Sequence, residues 1–192
     1  MNQTLQFEKY GNPVLSNFID KSKTLVGIWI GINDINDSAK YAVNFVDFYN
    51  QLQDTLFSRV EAIYKLGYKK FLFMNLPPLD RTPGNFAKGP AAALPNTTMV
   101  GWWDQALANH SAAFAKEHRD VKSMVFDANT FLNKVMDNHD SYGIRNVTGY
   151  CTSASSPGRE ILLTEGIGAS YDQPYINTDP AQYGCLPLDQ YL

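Results

Sequence analysis

Thr24-Leu25-Val26-Gly27-Ile28-Trp29-Ile30-Gly31-Ile32-Asn33-Asp34 is the stretch whose reading decides the fold. Its first seven residues form a continuous apolar run, too short for a buried helix and rich in β-branched residues. It reads as a fully buried strand. Polar residues follow at once, at what would be the carboxyl end of that strand. A second such run, Lys70 to Leu76, is closed by Pro77 and Pro78, which cannot continue a ladder. A third lies at Val121 to Phe126.

Helical patterns separate the runs. Phe45, Tyr49, Leu52, Leu56, Val60 and Ile63 recur at helical spacing, and Gly67 follows as a terminator. Asp37 or Ser38 is the expected cap of that helix. Trp103, Leu107 and Phe114 share one face of a predicted helix from about Thr97 to His118, and Phe131, Leu132 and Val135 mark a short last one. The stretch from Gln3 to Asp20 is only weakly amphipathic, and the Pro- and Gly-rich segment before Asn96 reads as loop. The order β-α-β-α-β-α implies an α/β domain with a parallel sheet covered on both faces. The 192 residues suit one domain, spanning 1–192. Ligands of such sheets bind beyond the carboxyl ends of the strands, which directs attention to Gly31–Asn36 and Asn75–Pro83.

Composition excludes some classes of function. A net charge of −3 with no basic stripe argues against a nucleic-acid partner, and no apolar run is long enough to span a membrane. Cys151 and Cys185, the two cysteines, both sit in the loop-like last fifth and are expected to pair in an oxidising compartment. Asn-x-Ser/Thr sites at Asn2, Asn36, Asn96, Asn109 and Asn146 also fit a secreted, extracellular glycoprotein. No signal segment follows Met1, so the reading expects the beginning of the protein to lie outside this chain.

Gly31-Ile32-Asn33-Asp34 carries the chemistry. An Asn amide is a neutral donor that can be fixed to hold a developing oxyanion, and a nearby Gly lets backbone approach a substrate closely. By itself the tetrapeptide could equally be a turn or a cap. With its context, Trp29 to Asp34 resembles the third conserved block of the SGNH (GDSL) hydrolases. Asn75-Leu76-Pro77-Pro78-Leu79 with Thr82-Pro83 is similar to the segment that follows a later sheet strand in that family, and Asp137 to Gly143 followed by Asn146 to Cys151 is similar to its fungal acetylesterase branch, carbohydrate esterase family 16. The resemblance covers nearly the whole chain. It implies a three-layer flavodoxin-like fold and hydrolysis of acetyl esters on plant carbohydrate without a cofactor or metal, by a monomer. It also implies Asn33 as oxyanion-hole donor, with Gly31 in the oxyanion loop.

The same resemblance implies residues this chain lacks. The Gly-Asp-Ser nucleophile block, expected about a hundred residues before Gly31, and the Asp-x-x-His block are both missing. The fold is therefore expected to be incomplete at both ends, and the chain a catalytically incomplete fragment. Two rivals stand beside it: a non-catalytic relic or carbohydrate-binding module, and an intracellular nucleotide binder, which the absence of a glycine phosphate loop disfavours. Ser141 reads as a turn residue, Gly168-Ala169-Ser170 lacks the setting of a nucleophile elbow, His110 and His118 read as surface or packing residues, and His139 has no acidic partner at the spacing the family resemblance implies. Trp29 and Trp103 read as packing residues, and Trp102 as the exposed ring that could stack on a sugar.

Overall fold

A computed structural model describes residues 2–149. Strands β1 (Leu25–Ile28), β2 (Lys70–Met74) and β3 (Lys122–Phe126) form one parallel sheet in that order. Val26 pairs with Phe71 and Ile28 with Phe73, while Phe71 faces Ser123 and Phe73 faces Val125. The period of two therefore sends Val26, Ile28, Phe71, Phe73, Ser123 and Val125 to one face.

That face is covered by two long helices, α4 (Phe45–Lys65) and α6 (Thr97–Glu117), packed against each other. Val60 and Ile63 of α4, Leu107 and Phe114 of α6, and Phe71 and Phe73 of β2 make one buried cluster. A second cluster joins Tyr49, Met99, Val100 and Trp103 to Ile35 of α3 (Ile32–Ser38) and to Leu76 and Leu79 beyond β2. The described residues cover the opposite face only in part. There Leu25, Gly27, Met124 and Phe126 are exposed, and Phe126 meets Phe131 of α7 (Ala128–Asp137). Before β1 the chain forms α1 (Asn2–Gln6), a π-helical turn over Phe7–Gly11 and α2 (Asn12–Leu15).

The long helices begin where their sequence supplies a cap. Asn44 accepts from the Asp47 N–H, Asn96 from that of Met99 and Asp127 from that of Thr130. Asn44 corrects the expected cap at Asp37 or Ser38: those residues belong to α3, a separate short helix. Gly67 does end the α4 region, with φ of +103°.

Two further expectations are corrected. The β1 run is not fully buried: among the described residues β1 lies at the sheet edge, and its residues alternate between exposed and half-buried. The segment before Asn96 is not all loop: it holds a 3-10 turn at Leu79–Arg81 and helix α5 (Pro83–Lys88). Asn85 of α5 is buried and donates to the carbonyls of Leu79 and Pro95, which fixes that excursion. Cys151 and Cys185 lie outside the described residues, as does Gly168-Ala169-Ser170.

Candidate active site

Because the sheet is parallel and Ile28 aligns with Phe73, the segments after β1 and β2 emerge at the same end. The indole N–H of Trp29 donates to the Asn75 carbonyl at 3.1 Å and ties the two together. Trp29 is thus no core residue; half of its surface is exposed. The two segments also share the cluster of Ile35, Leu76, Leu79 and Trp103 beneath them.

Gly31 turns the chain from β1 into α3. Its φ is +121°, outside the range that side chains accept readily. A methyl group built on it would overlap the ring of Trp103, which is buried directly below. The residue therefore has to be glycine on two counts. Its carbonyl accepts from the Ile35 N–H at 3.0 Å and starts the helix. Asn33 stands on the first turn of α3, exposed, with its amide making no hydrogen bond to a described residue. Ile35, two residues on, is fully buried and anchors the turn.

The strongest polar network sits beside this turn, beyond β2 and β3. The Asn75 amide donates to Asp127 Oδ1 and accepts from the Asn129 N–H, each at 2.9 Å. The Asn129 amide donates to the Leu76 carbonyl. Arg81 donates to Asn133 Oδ1 at 2.7 Å and pairs with Asp137 at 2.8 Å. The Asn75–Pro83 segment is thereby clamped to α7 along its length.

Asp104 completes the clamp from α6, accepting from the Leu76 N–H at 3.0 Å. Burial, the larger influence, and the nearby Asp127 charge push its carboxyl up to about 6, against the pull of the Leu76 hydrogen bond. Asp127 moves the other way, held below the usual carboxylate range by hydrogen bonds from Thr130 and Asn75. Two neighbouring carboxyls with divergent titrations at strand ends are the kind of arrangement functional sites use. Sequence reading passed over Asp104. The available signal was its place in the stripe Trp103, Asp104, Leu107, Ser111, where a charge interrupts a buried helix face.

A groove of about 440 Å³ runs along the open edge of β1, between it, α4 and the first helical turns. Val26, Ile28, Ile30, Leu56 and Phe7 make its walls apolar. Asp34, Arg59 and Trp103 also line it, and the buried Arg59 Nε and Trp103 Nε1 lack partners among the described residues. Asn33 and the Asn75–Pro83 segment are not part of this groove.

The remaining candidates separate from the site. His110 bridges the Ala106 carbonyl and the Asp54 carboxylate, and His118 lies against Tyr64 with the Glu61 carboxylate 2.7 Å away. His139 Nδ1 is engaged by the Ile144 carbonyl at 2.8 Å. Ser141 is exposed in a 3-10 turn, its N–H donating to the Asn138 carbonyl. Among the described residues no serine hydroxyl is hydrogen-bonded to a histidine, and no group of three His, Cys, Asp or Glu side chains could hold a metal. No described helix is long and apolar enough to cross a membrane.

The described residues thus form a parallel α/β sheet with a Gly-x-Asn-Asp turn at the carboxyl end of β1. The profile of the GDSL-like lipase/acylhydrolase family matches residues 2–173, and the chain belongs to that family. The three-stranded sheet agrees with a partial form of its three-layer fold. Over 133 residues the chain is 26% identical to an acetylesterase of Thermothelomyces thermophilus. That alignment covers 69% of this chain and 44% of the relative, so the chain spans less than half of the relative it matches.

Proposed function

We propose that this chain is the interior of a secreted SGNH-type acetylesterase acting on acetylated plant carbohydrate, with Asn33 and Gly31 serving its oxyanion hole. The observation that carries the reading is the Gly31–Asn33 turn: a glycine held at φ +121° over a buried Trp103, presenting at the carboxyl end of β1 an exposed Asn amide that no described residue engages. Ester hydrolysis passes through a tetrahedral oxyanion, and a donor whose backbone is fixed in advance stabilises it without reorganising. The relative's acetylesterase name supports acetyl esters as the substrate class. Membership of carbohydrate esterase family 16 and the extracellular location belong to the same proposal.

Turnover also needs an attacking group. A serine activated by a histidine that a carboxylate orients is the arrangement the family resemblance implies. In this reading the nucleophile is supplied by polypeptide beyond the chain. The edge of β1 favours that, because the groove beside it has apolar walls and, among the described residues, unpaired strand groups and Arg59 and Trp103 N–H donors without partners.

The test joins sequence and assay. The DNA flanking the codons for Met1 and Leu192 is sequenced, and the chain and any extended open reading frame are assayed with p-nitrophenyl acetate and an acetylated xylo-oligosaccharide. The extended protein is expected to turn over both, and Asn33→Ala to lower kcat by about a hundredfold or more. The 192-residue chain alone is expected to show no saturable turnover. Turnover of the sugar ester by the chain alone, an extended protein that hydrolyses neither ester, or an Asn33→Ala enzyme of unchanged rate would each overturn the proposal.

A further inference from the structure

We propose that the outer face of Trp102 is a sugar-stacking subsite beside the Gly31–Asn33 turn, a deepening that rests on the carbohydrate-ester reading above. The three tryptophans have separated roles. Trp103 is buried beneath Gly31, and Trp29 has its indole N–H committed to the Asn75 carbonyl. Trp102 keeps 39% of its surface exposed, and its indole N–H meets no acceptor among the described residues.

Trp102 is also held in place. Its ring lies nearly parallel to that of Phe45, at 19° with centroids 6.4 Å apart, and Phe45 packs in turn on the cluster containing Tyr49 and Trp103. One side of the indole is thus braced by the start of α4. A ring fixed before binding loses little side-chain freedom when a ligand covers it. A flat apolar face with a free N–H at its rim suits a pyranose, whose C–H face stacks while its hydroxyls accept hydrogen bonds.

The position relates the subsite to the chemistry. Trp102 and Trp103 are successive residues of α6, about 100° apart around a helix roughly 10 Å across. The two rings therefore leave α6 in adjacent directions, Trp103 beneath Gly31 and Trp102 against Phe45 at the start of α4. In this proposal the ring on Trp102 is the alcohol side of a sugar ester, and the acyl group is directed to Asn33.

The experiment uses the full chain and an unacetylated xylo-oligosaccharide, so that no hydrolysis is involved. Indole N–H resonances are followed by NMR and assigned with Trp102→Phe and Trp29→Phe, and affinity is read from backbone amides near residue 102. The Trp102 resonance is expected to shift saturably while those of Trp29 and Trp103 stay in place. Trp102→Ala should weaken binding about tenfold and Trp102→Phe clearly less. Unchanged Trp29 and Trp103 resonances show that each variant is folded. A stationary Trp102 resonance, or equal affinity in wild type and Trp102→Ala, overturns the proposal. Failure here leaves the hydrolytic reading untouched, and failure of the esterase assays leaves this binding result standing.

Discussion

Replacing Asp104 with Asn tests whether the clamp on Leu76 carries a buried charge at a cost. The carboxyl sits at about 6 in the fold against an ordinary 3.8, raised first by burial and then by the charge of Asp127. At 1.36 kcal/mol per pH unit, the displacement corresponds to about 3 kcal/mol between the protonation states. The unfolded chain releases this proton near 3.8 and the folded chain only near 6. Asp104 therefore contributes its full stability below pH 3.8, and loses it progressively as pH rises through about 6. Asn keeps an acceptor for the Leu76 N–H and carries no charge. Urea denaturation at intervals from pH 4.5 to 7.5 should show wild-type stability falling relative to Asp104→Asn, with the variant ahead by up to about 3 kcal/mol at the upper end. Asp127, whose carboxyl is lowered, has the opposite sign, contributing above the ordinary range and losing it as pH falls, so its window lies below the one measured. Parallel stability curves for wild type and variant would refute the reasoning.

Gly31→Ala places a methyl group against Trp103 in a backbone region that alanine avoids; a loss of about 2–5 kcal/mol is expected by the same denaturation assay, and a loss below about 1 kcal/mol would contradict the geometry. Asn75→Ala removes the partner of the Asn129 N–H and a donor to Asp127, and should cost about 2–3 kcal/mol, with faster amide exchange at Asn129 as the local signature. Cys151 and Cys185 are expected to form a disulfide closing a loop of about 35 residues, worth about 3–4 kcal/mol in the chain-entropy model. Peptide mapping without reduction should find one cross-linked pair, and two free thiols by alkylation would count against it.

How much was legible follows from the range of the signals. Strand and helix patterns are local: the Val26, Phe71 and Val125 runs, the Phe45-to-Ile63 stripe and the stop at Gly67 could be read from spacing alone. Alternation of apolar strands and helices was enough for a parallel α/β sheet, and parallel strands place their following loops at one end, so the Gly31 and Asn75 segments were legible as neighbours. The helix cap was misread because Asp37, Ser38 and Asn44 are all competent capping residues. Of the three, Asn44 is the one whose side chain accepts from an N–H of α4, while α3 has already ended at Ser38.

Burial was beyond the sequence in the same sense. Thr24 to Ile30 is as apolar as Lys70 to Leu76, yet among the described residues β2 has a neighbour on each side and β1 on one, so strand order decides which run is enclosed. The motif named Gly31 without its reason, which is a tryptophan 72 positions away whose ring fills the space a side chain would need. Asp104 is the clearest case. Its titration is set by the Leu76 N–H, 28 residues distant, by Asp127 and by the loss of water around it. Desolvation and Coulomb interaction depend on distance in space, which the chain acquires only by folding.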